Sequence, residues 1–213
     1  MSKKLIILGA SGHGKVAADI AMRNAYDEIL FPDDNPEITE CLGCPVVGRI
    51  SDAEAYQGDF FVAIGNAVLR ETLQNRLEGA GKTVVSLIHP AAVIGHGVTI
   101  GGGTVVMAGT VINPCAVIGK GCIINTCASV DHDCVIGAFA HVSVGAHIAG
   151  TVTIGAGTWI GVGAVIKNNV TIAPDCMIGA GAVVVKDIEE LGTYVGVPAK
   201  KIDYPVAACP NRG

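Results

Sequence analysis

The sequence predicts an α/β unit with a small parallel sheet, followed by a solenoid of short parallel strands. Three observations carry this. Residues 1 to 88 alternate strand-like and helix-like segments. From Ala92 to Asp187 the chain divides without a gap into sixteen blocks of six. The third residue of every block is Ile or Val, and the first is always Ala, Val, Thr or Cys. Self-similarity at a fixed short period marks a solenoid. Three spans follow: an α/β domain over 1–88, a repeat domain over 89–187, and a C-terminal tail over 188–213, where Pro205 and Pro210 predict a loose segment.

In the first span, 5–8 reads as a strand, 12–24 as a helix, and 29–31 as a strand ending in Pro32-Asp33-Asp34-Asn35-Pro36. Residues 60–64 form another strand, closed by Gly65-Asn66; 68–77 is helical, and 83–88 is strand again. This alternation predicts a Rossmann-like parallel sheet with flanking helices. Ligands of such sheets bind at the carboxyl ends of the strands. Three polar turns lie there: 9–14, Asp33-Asp34 and Gly65-Asn66. The first reads GASGHGKV, one hydroxyl short of the phosphate loop GxxxxGK[ST], with Val16 where a magnesium-binding Ser or Thr would stand. It reads as a cradle for a phosphate or diphosphate without a metal, or as a plain glycine turn. The glycines would let backbone N–H groups approach an anion at a helix start.

In the repeat span, strand side chains alternate, so positions one and three of each block face inward and position two outward. Positions four to six turn a corner. Gly, Asn or Asp fills position four in ten of the sixteen blocks, which places unusual backbone angles there.

Composition excludes several classes. Half of the 213 residues are apolar and 15% are charged, so the chain is not disordered. A net charge of -5 and 4% aromatics argue against a nucleic-acid binder. No apolar run reaches the ~20 residues that span a bilayer, and MSKKLIILGAS does not read as a signal peptide. A cytoplasmic protein is expected. Of eight cysteines, Cys41 and Cys44 form a lone CxxC; structural zinc wants a second such pair, so no metal is expected. Cys122, Cys134 and Cys176 fall on position one and read as small buried hydrophobes in a reducing compartment.

The repeat resembles the hexapeptide-repeat acyltransferases, which implies a left-handed parallel β-helix with three blocks per triangular coil. The resemblance runs over the whole chain: GASGHGK at the start, Asp33-Asp34, AIGN at 63–66, Asn125-Thr126, His132-Asp133, AHVSVGAHIAG at 140–150 and VGVPAK at 195–200. These are similar to bacterial N-acetyltransferases of nucleotide-activated 4-amino sugars, of the bacillosamine and perosamine type, and to sialic-acid O-acetyltransferases. The resemblance implies acetyl-CoA as donor and a nucleotide-linked amino sugar cradled by the N-terminal domain. Carried over, His132 matches the general base and Asp133 the acid that strengthens it, where bacillosamine-type relatives often have Glu. Asn125 matches a substrate-site asparagine. Ser11, Gly12, His13, Asp33 and Asp34 match nucleotide-sugar contacts, with Gly65 and Asn66 in the adjacent turn. His141, Gly150, Val162 and Ala180 match positions that touch acetyl-CoA, Ala180 standing where relatives have Gly.

With three blocks to a coil, His132 sits at a corner between walls and His141 points outward from a different wall. A side of about five residues spans roughly 16 Å at ~3.3 Å per residue, so the two rings cannot meet within one chain. A neighbouring prism could bring them together. The outward columns Val105, Ile123, His141, Trp159, Met177 and Val93, Val111, Ser129, His147, Val165, Val183 supply apolar surface for one. A closed homotrimer with sites at its seams is expected. Gly150 lies one coil above His132 and Pro114 one coil below. Asp131 or Asp133 could orient the imidazole. The bland alternatives are a solvated Asp-His-Asp turn and a seam-filling His141; His89, His96 and His147 carry no expected role. Three functions remain open at this point: amino-sugar N-acetylation, sugar O-acetylation, and a non-enzymatic nucleotide-sugar-binding trimeric scaffold.

Overall fold

The structure is a computed structural model and describes residues 3–203. The contacts divide these residues into two compact units that meet in sequence at Pro90 and Ala91. Pro205 and Pro210 lie outside the described residues.

The first unit runs β1 (Lys4–Leu8), α1 (Gly12–Arg23), β2 (Glu28–Leu30), β3 (Glu40–Cys41), β4 (Cys44–Pro45), a 3₁₀ turn (Ile50–Ala55), β5 (Asp59–Val62), α2 (Ala67–Gly79) and β6 (Leu87–Ile88). β1 is the middle strand of a parallel sheet, with β2 on one side and β5 on the other. Leu5, Ile6, Ile7 and Leu8 are all fully buried. A strand covered on both faces reads as a continuous apolar run rather than an alternating one. One face packs Ile6, Leu8, Phe60 and Val62 against Ala53, Leu73 and Leu77. The strand expected over 83–88 is shorter: Val84 makes a single bridge to Phe60, and only Leu87 and Ile88 continue as strand. The CxxC is the turn of a hairpin. Leu42 and Gly43 both have positive φ, 51° and 74°, and Cys41 pairs directly with Cys44. That is the two-residue hairpin geometry with left-handed central residues, so the spacing that suggested a metal pair is explained by the turn.

The second unit is a parallel β-solenoid. A strand occupies positions two and three of every block, from β7 (Val93–Ile94) to β22 (Val183–Val184). Each strand pairs with the one eighteen residues on, as Ser129 with His147 and Val130 with Ile148. The first wall is β7-β10-β13-β16-β19-β22, the second β8-β11-β14-β17-β20, and the third includes β9-β12-β15-β18-β21. Residues 188–203, grouped with the tail above, extend it: Ile188 bridges to Ile172, and β23 (Thr193–Val195) and β24 (Lys200–Ile202) continue the third wall.

The interior tolerates Thr and Cys at position one because each finds partners there. Thr104 Oγ1 donates to the Gly119 carbonyl at 2.8 Å and accepts from Cys122 N at 3.0 Å. The Cys122 thiol reaches the Gly137 carbonyl at 3.1 Å. The hydrogen bonds offset the cost of taking these polar groups out of water.

Position four does not carry the unusual backbone angle. That falls on position six, where every block from Gly97 to Gly181 has φ between 56° and 73°. The position-four glycines answer to a different constraint, close approach of the next coil: a Cβ on Gly101 or Gly137 would come within 2.4 Å of the backbone nitrogen of Lys120 or Ala156. Thr151 holds φ 61° at position six despite its β-branch. The left-handed region costs about 1–2 kcal/mol for such a residue. Thr151→Asn should therefore raise stability by about 1 kcal/mol, read as a shift in the denaturation midpoint.

Candidate active site

In the first unit the three expected turns all follow the carboxyl ends of parallel strands β1, β2 and β5. Gly9, at φ 101°, donates its N–H to the Pro32 carbonyl at 3.0 Å, which joins the first turn to the second. Gly14 packs so closely on that turn that a Cβ would meet the Gly9 carbonyl oxygen at 2.2 Å. Asp33 holds both turns: one carboxylate oxygen accepts from Ala10 N at 2.6 Å, the other from Asn35 N at 2.8 Å. Asp34 accepts from Ile50 N at 3.1 Å. Asn66 caps α2 by accepting from Leu69 N at 2.8 Å. These residues shape the turns whatever else they bind.

Ser11 is the N-cap of α1 but makes no side-chain cap bond, and open space lies beside Gly12. His13 stands behind them with its Nε2 buried and without a hydrogen-bond partner. Burial, helped by the Arg70 guanidinium nearby, pushes the His13 pKa down to about 4, so the ring is neutral. Arg70 is fully buried and donates to the carbonyls of Ile64 and Gly65, both at 2.8 Å, fixing the third turn from below. Arg70 escaped the sequence reading because an arginine on a helix gives no sign that it is buried.

In the second unit the expected residues fall into two groups. His132 follows β13 (Ser129–Val130) at the corner between first and second walls. Its Nδ1 lies 2.7 Å from Asp133 Oδ2. A carboxylate can only accept, so Nδ1 carries the proton and Nε2 is left as an acceptor. Asp133 sits at position six with φ 58°, a conformation Asp tolerates, and its carboxylate turns back onto the ring. Of the two acids left open above, it is therefore Asp133 that bonds the imidazole; Asp131 instead accepts from the His132 backbone N–H at 2.8 Å. Both acids raise the His132 pKa, Asp133 through its hydrogen bond and Asp131 through its charge. Directly above is Gly150, where a Cβ would stand 2.6 Å from His132 Nε2. The Gly150 N–H donates to no group among the described residues. A basic nitrogen, an orienting carboxylate and a bare backbone donor thus meet at one edge.

The second group lies on the third wall. His141 Nε2 is 3.1 Å from Asn125 Nδ2, and the His141 and Trp159 ring centroids are 4.6 Å apart. Trp159 Nε1 donates to Ser143 Oγ at 2.7 Å. Val162 and Ala180 stand at the corner that leaves this wall, eighteen residues apart and so one coil from each other, with Val162 exposed. The structure joins Asn125 to His141 rather than to His132. The two groups share no residue within one chain. Val105 and Ile123, expected in the outward patch, are buried, while His141, Trp159 and Met177 are half-buried.

Comparison with known proteins places these features in one family. Residues 4–77 match the PglD N-terminal domain, and residues 151–186 match the bacterial transferase hexapeptide family. A UDP-N-acetylbacillosamine N-acetyltransferase of Bacillus subtilis (strain 168) is 34% identical over 115 residues, half of this chain and 52% of that enzyme, so the match spans about half the length of that relative. The acetyltransferase domain of PglB from Neisseria gonorrhoeae FA1090, solved in complex with acetyl coenzyme A, is 39% identical, with a TM-score of 0.91 over 95% of this chain and 100% of that one. PerB from Caulobacter crescentus, solved with CoA and GDP-perosamine, is 38% identical, with a TM-score of 0.87 over 95% of this chain and 98% of that one. The chain belongs to the hexapeptide-repeat family of acetyl-CoA-dependent N-acetyltransferases of nucleotide-linked amino sugars to which these proteins belong.

Proposed function

We propose that the chain transfers the acetyl group of acetyl-CoA to the 4-amino group of a nucleotide-linked amino-deoxy sugar, for bacterial glycan biosynthesis. The observation that carries this is the His132–Asp133 pair under the bare Gly150 backbone, in a chain alike over 95% of its length to a protein solved with CoA and GDP-perosamine. His132 Nε2 takes a proton from the sugar amine, which is mostly ammonium at neutral pH and must lose one to attack. The amine nitrogen then bonds to the thioester carbonyl carbon. The Gly150 N–H is placed to receive the oxyanion that forms there. The C–S bond breaks and coenzyme A leaves as thiol with the proton held by His132, while the second proton of the former ammonium leaves the new amide nitrogen for solvent. Nothing in these steps calls for a metal.

The nucleotide end of the acceptor belongs in the turns of the first unit, where Ser11, Gly12, His13, Asp33, Asp34, Gly65 and Asn66 cluster. His141, Asn125, Val162 and Ala180 belong to the donor's path. Because His132 and His141 lie on different walls, a complete site needs the third wall of a second copy against the His132 edge. A homotrimer with three seam sites meets that need. Light scattering should give three chains per particle; a fully active monomer would overturn the seam. A cytoplasmic location suits an enzyme that uses acetyl-CoA and a nucleotide sugar, and among the described residues no helix is long and apolar enough to cross a membrane.

Thiol release from acetyl-CoA tests the reaction, with UDP-, GDP- and dTDP-linked 4-amino sugars as acceptors. Turnover on at least one amine is expected. Turnover on hydroxyl acceptors alone would replace this reading with O-acetylation, and no turnover on either would leave a nucleotide-sugar scaffold. The pH profile has a predictable sign. His132 acts as a base only when neutral, and its pKa is raised above the ordinary histidine value. The rate should therefore climb with pH, with its midpoint above ~6.5. Asp133→Asn removes the largest cause of that rise, so the midpoint should move to lower pH, and the plateau should fall roughly 10-fold or more.

A further inference from the structure

At the His132 corner the ladder leaves one backbone donor to be satisfied by a side chain. In the His132 block, Ser129 N, Asp131 N and Asp133 N donate to Ala146, Ile148 and Pro114 carbonyls of neighbouring coils. The position-five N–H, that of His132, has no ladder partner. Asp131 Oδ1 fills that role at 2.8 Å. The same oxygen accepts from Asn113 Nδ2 of the coil below at 2.7 Å. Asn113 and Asp131 occupy position four in successive coils of the same edge, which is why they stack. Asn125 caps Thr126 N in the same way at 2.8 Å, on the corner that leaves the third wall.

We infer that Asn113 and Asp131 form a positioning clamp for the His132 imidazole, acting through its backbone while Asp133 acts on its ring. The clamp rests on the proposed role of His132 as base and adds two residues that do not touch the ring. Its logic is one of unlike duties for two adjacent carboxylates. Asp133 fixes the tautomer by accepting from Nδ1. Asp131, tied down by two donors on one oxygen, sets the backbone angle from which the side chain departs. It also keeps a negative charge near the ring without competing for Nδ1. Asn113 makes that arrangement single-valued, because without it the Asp131 side chain has only its own neighbour's N–H to hold it. A displacement of about 1 Å at a reacting group costs on the order of 10²-fold in rate, so a residue that never meets substrate can still govern turnover.

The groups facing His132 are few. Its own corner brings Asp131 and Asp133; the coil above brings Gly150 and Thr151, which do not titrate in the relevant range; the coil below brings Asn113, Pro114 and Cys115. The two acids thus set the ring's charge balance; the other titratable side chains nearest this corner are Cys115 below, Cys134 next in the chain, and His147 beside Ser129 on the adjoining wall of the coil above.

Three variants separate charge from geometry: Asp131→Asn, Asp131→Ala and Asn113→Ala. The first readout is the NMR titration of the His132 ring in the intact protein without substrate. Asp131→Asn keeps an acceptor but loses the charge, so the His132 midpoint should move to lower pH. Asn113→Ala keeps the charge, and its midpoint should move less. The second readout is kcat on the pH plateau with KM for acetyl-CoA. Asp131→Ala and Asn113→Ala should each lower kcat by on the order of 10-fold to 100-fold with KM little changed, and Asp131→Asn should lose less than Asp131→Ala. Asp131→Asn and Asn113→Ala are the mild changes and keep the test valid if Asp131→Ala does not fold. An unmoved His132 midpoint in Asp131→Asn, or an unchanged kcat plateau in Asn113→Ala, would overturn the clamp. The titration needs no turnover, so it judges the clamp even if the acetyl transfer is not found; active wild type with unshifted variants sinks the clamp alone.

Discussion

His132→Ala should lower kcat/KM for the sugar amine by roughly 10²–10⁴-fold, the range for loss of a general base, while the protein folds and assembles as before. The ring is an edge group. Its side chain is 57% exposed, and its partner Asp133 is 59% exposed. Removing it leaves no cavity and strands no buried donor, so the fold should lose little. The variant should still bind CoA, because His141, Val162 and Ala180 lie on another wall and its corner. The measurement is steady-state thiol release beside CoA binding by calorimetry. Full activity in this variant would remove His132 from the chemistry and place the base on another group. Raising the pH should partly restore the variant, since at high pH more of the amine arrives already deprotonated; a base-independent loss of folding would show no such recovery.

The solenoid was legible because its constraint is local and repeats. An interior that admits only small residues at position one and Ile or Val at position three writes the same three-letter pattern in every block. The strands fall where that pattern put them, from Val93–Ile94 onward. The corner was misread because glycine answers two different demands. At Gly101 it yields space to the next coil, and at Gly97 it supplies a positive φ; residue identity alone does not say which. Asp133, Phe139 and Thr151 at the same left-handed position show that the backbone, held by ladder bonds on both sides, overrides local preference. The site was half legible. The Asp-His-Asp corner stood out by composition, but which acid held the ring depended on a carboxylate direction that no spacing encodes. The pairing of Asn125 with His141, sixteen residues apart, follows only once the wall geometry sets them side by side. Arg70 and Asn113 gave no signal, because their importance lies in burial and in stacking across coils.

Gly150→Ala should be nearly as damaging as loss of the base, and for a reason that isolates the geometry of the edge. The backbone at Gly150 is not in the left-handed region, so alanine meets no conformational penalty there. The added methyl does meet the imidazole: it would sit 2.6 Å from Nε2, 2.8 Å from Cε1 and 3.2 Å from Cδ2 of His132. The ring is an exposed side chain and can rotate away, so the fold should hold. Rotation, however, breaks the 2.7 Å contact to Asp133 or moves Nε2 out of line, and the methyl covers the approach to the Gly150 N–H. Both the proton acceptor and the oxyanion donor suffer from one methyl. Misplacement of about 1 Å and loss of one oxyanion donor are each worth on the order of 10²-fold, so kcat should fall at least that far with the melting temperature little changed. The His132 titration should shift to lower pH as the Asp133 contact loosens. A Gly150→Ala protein with wild-type kcat would mean that neither the ring position nor this backbone donor matters to the reaction.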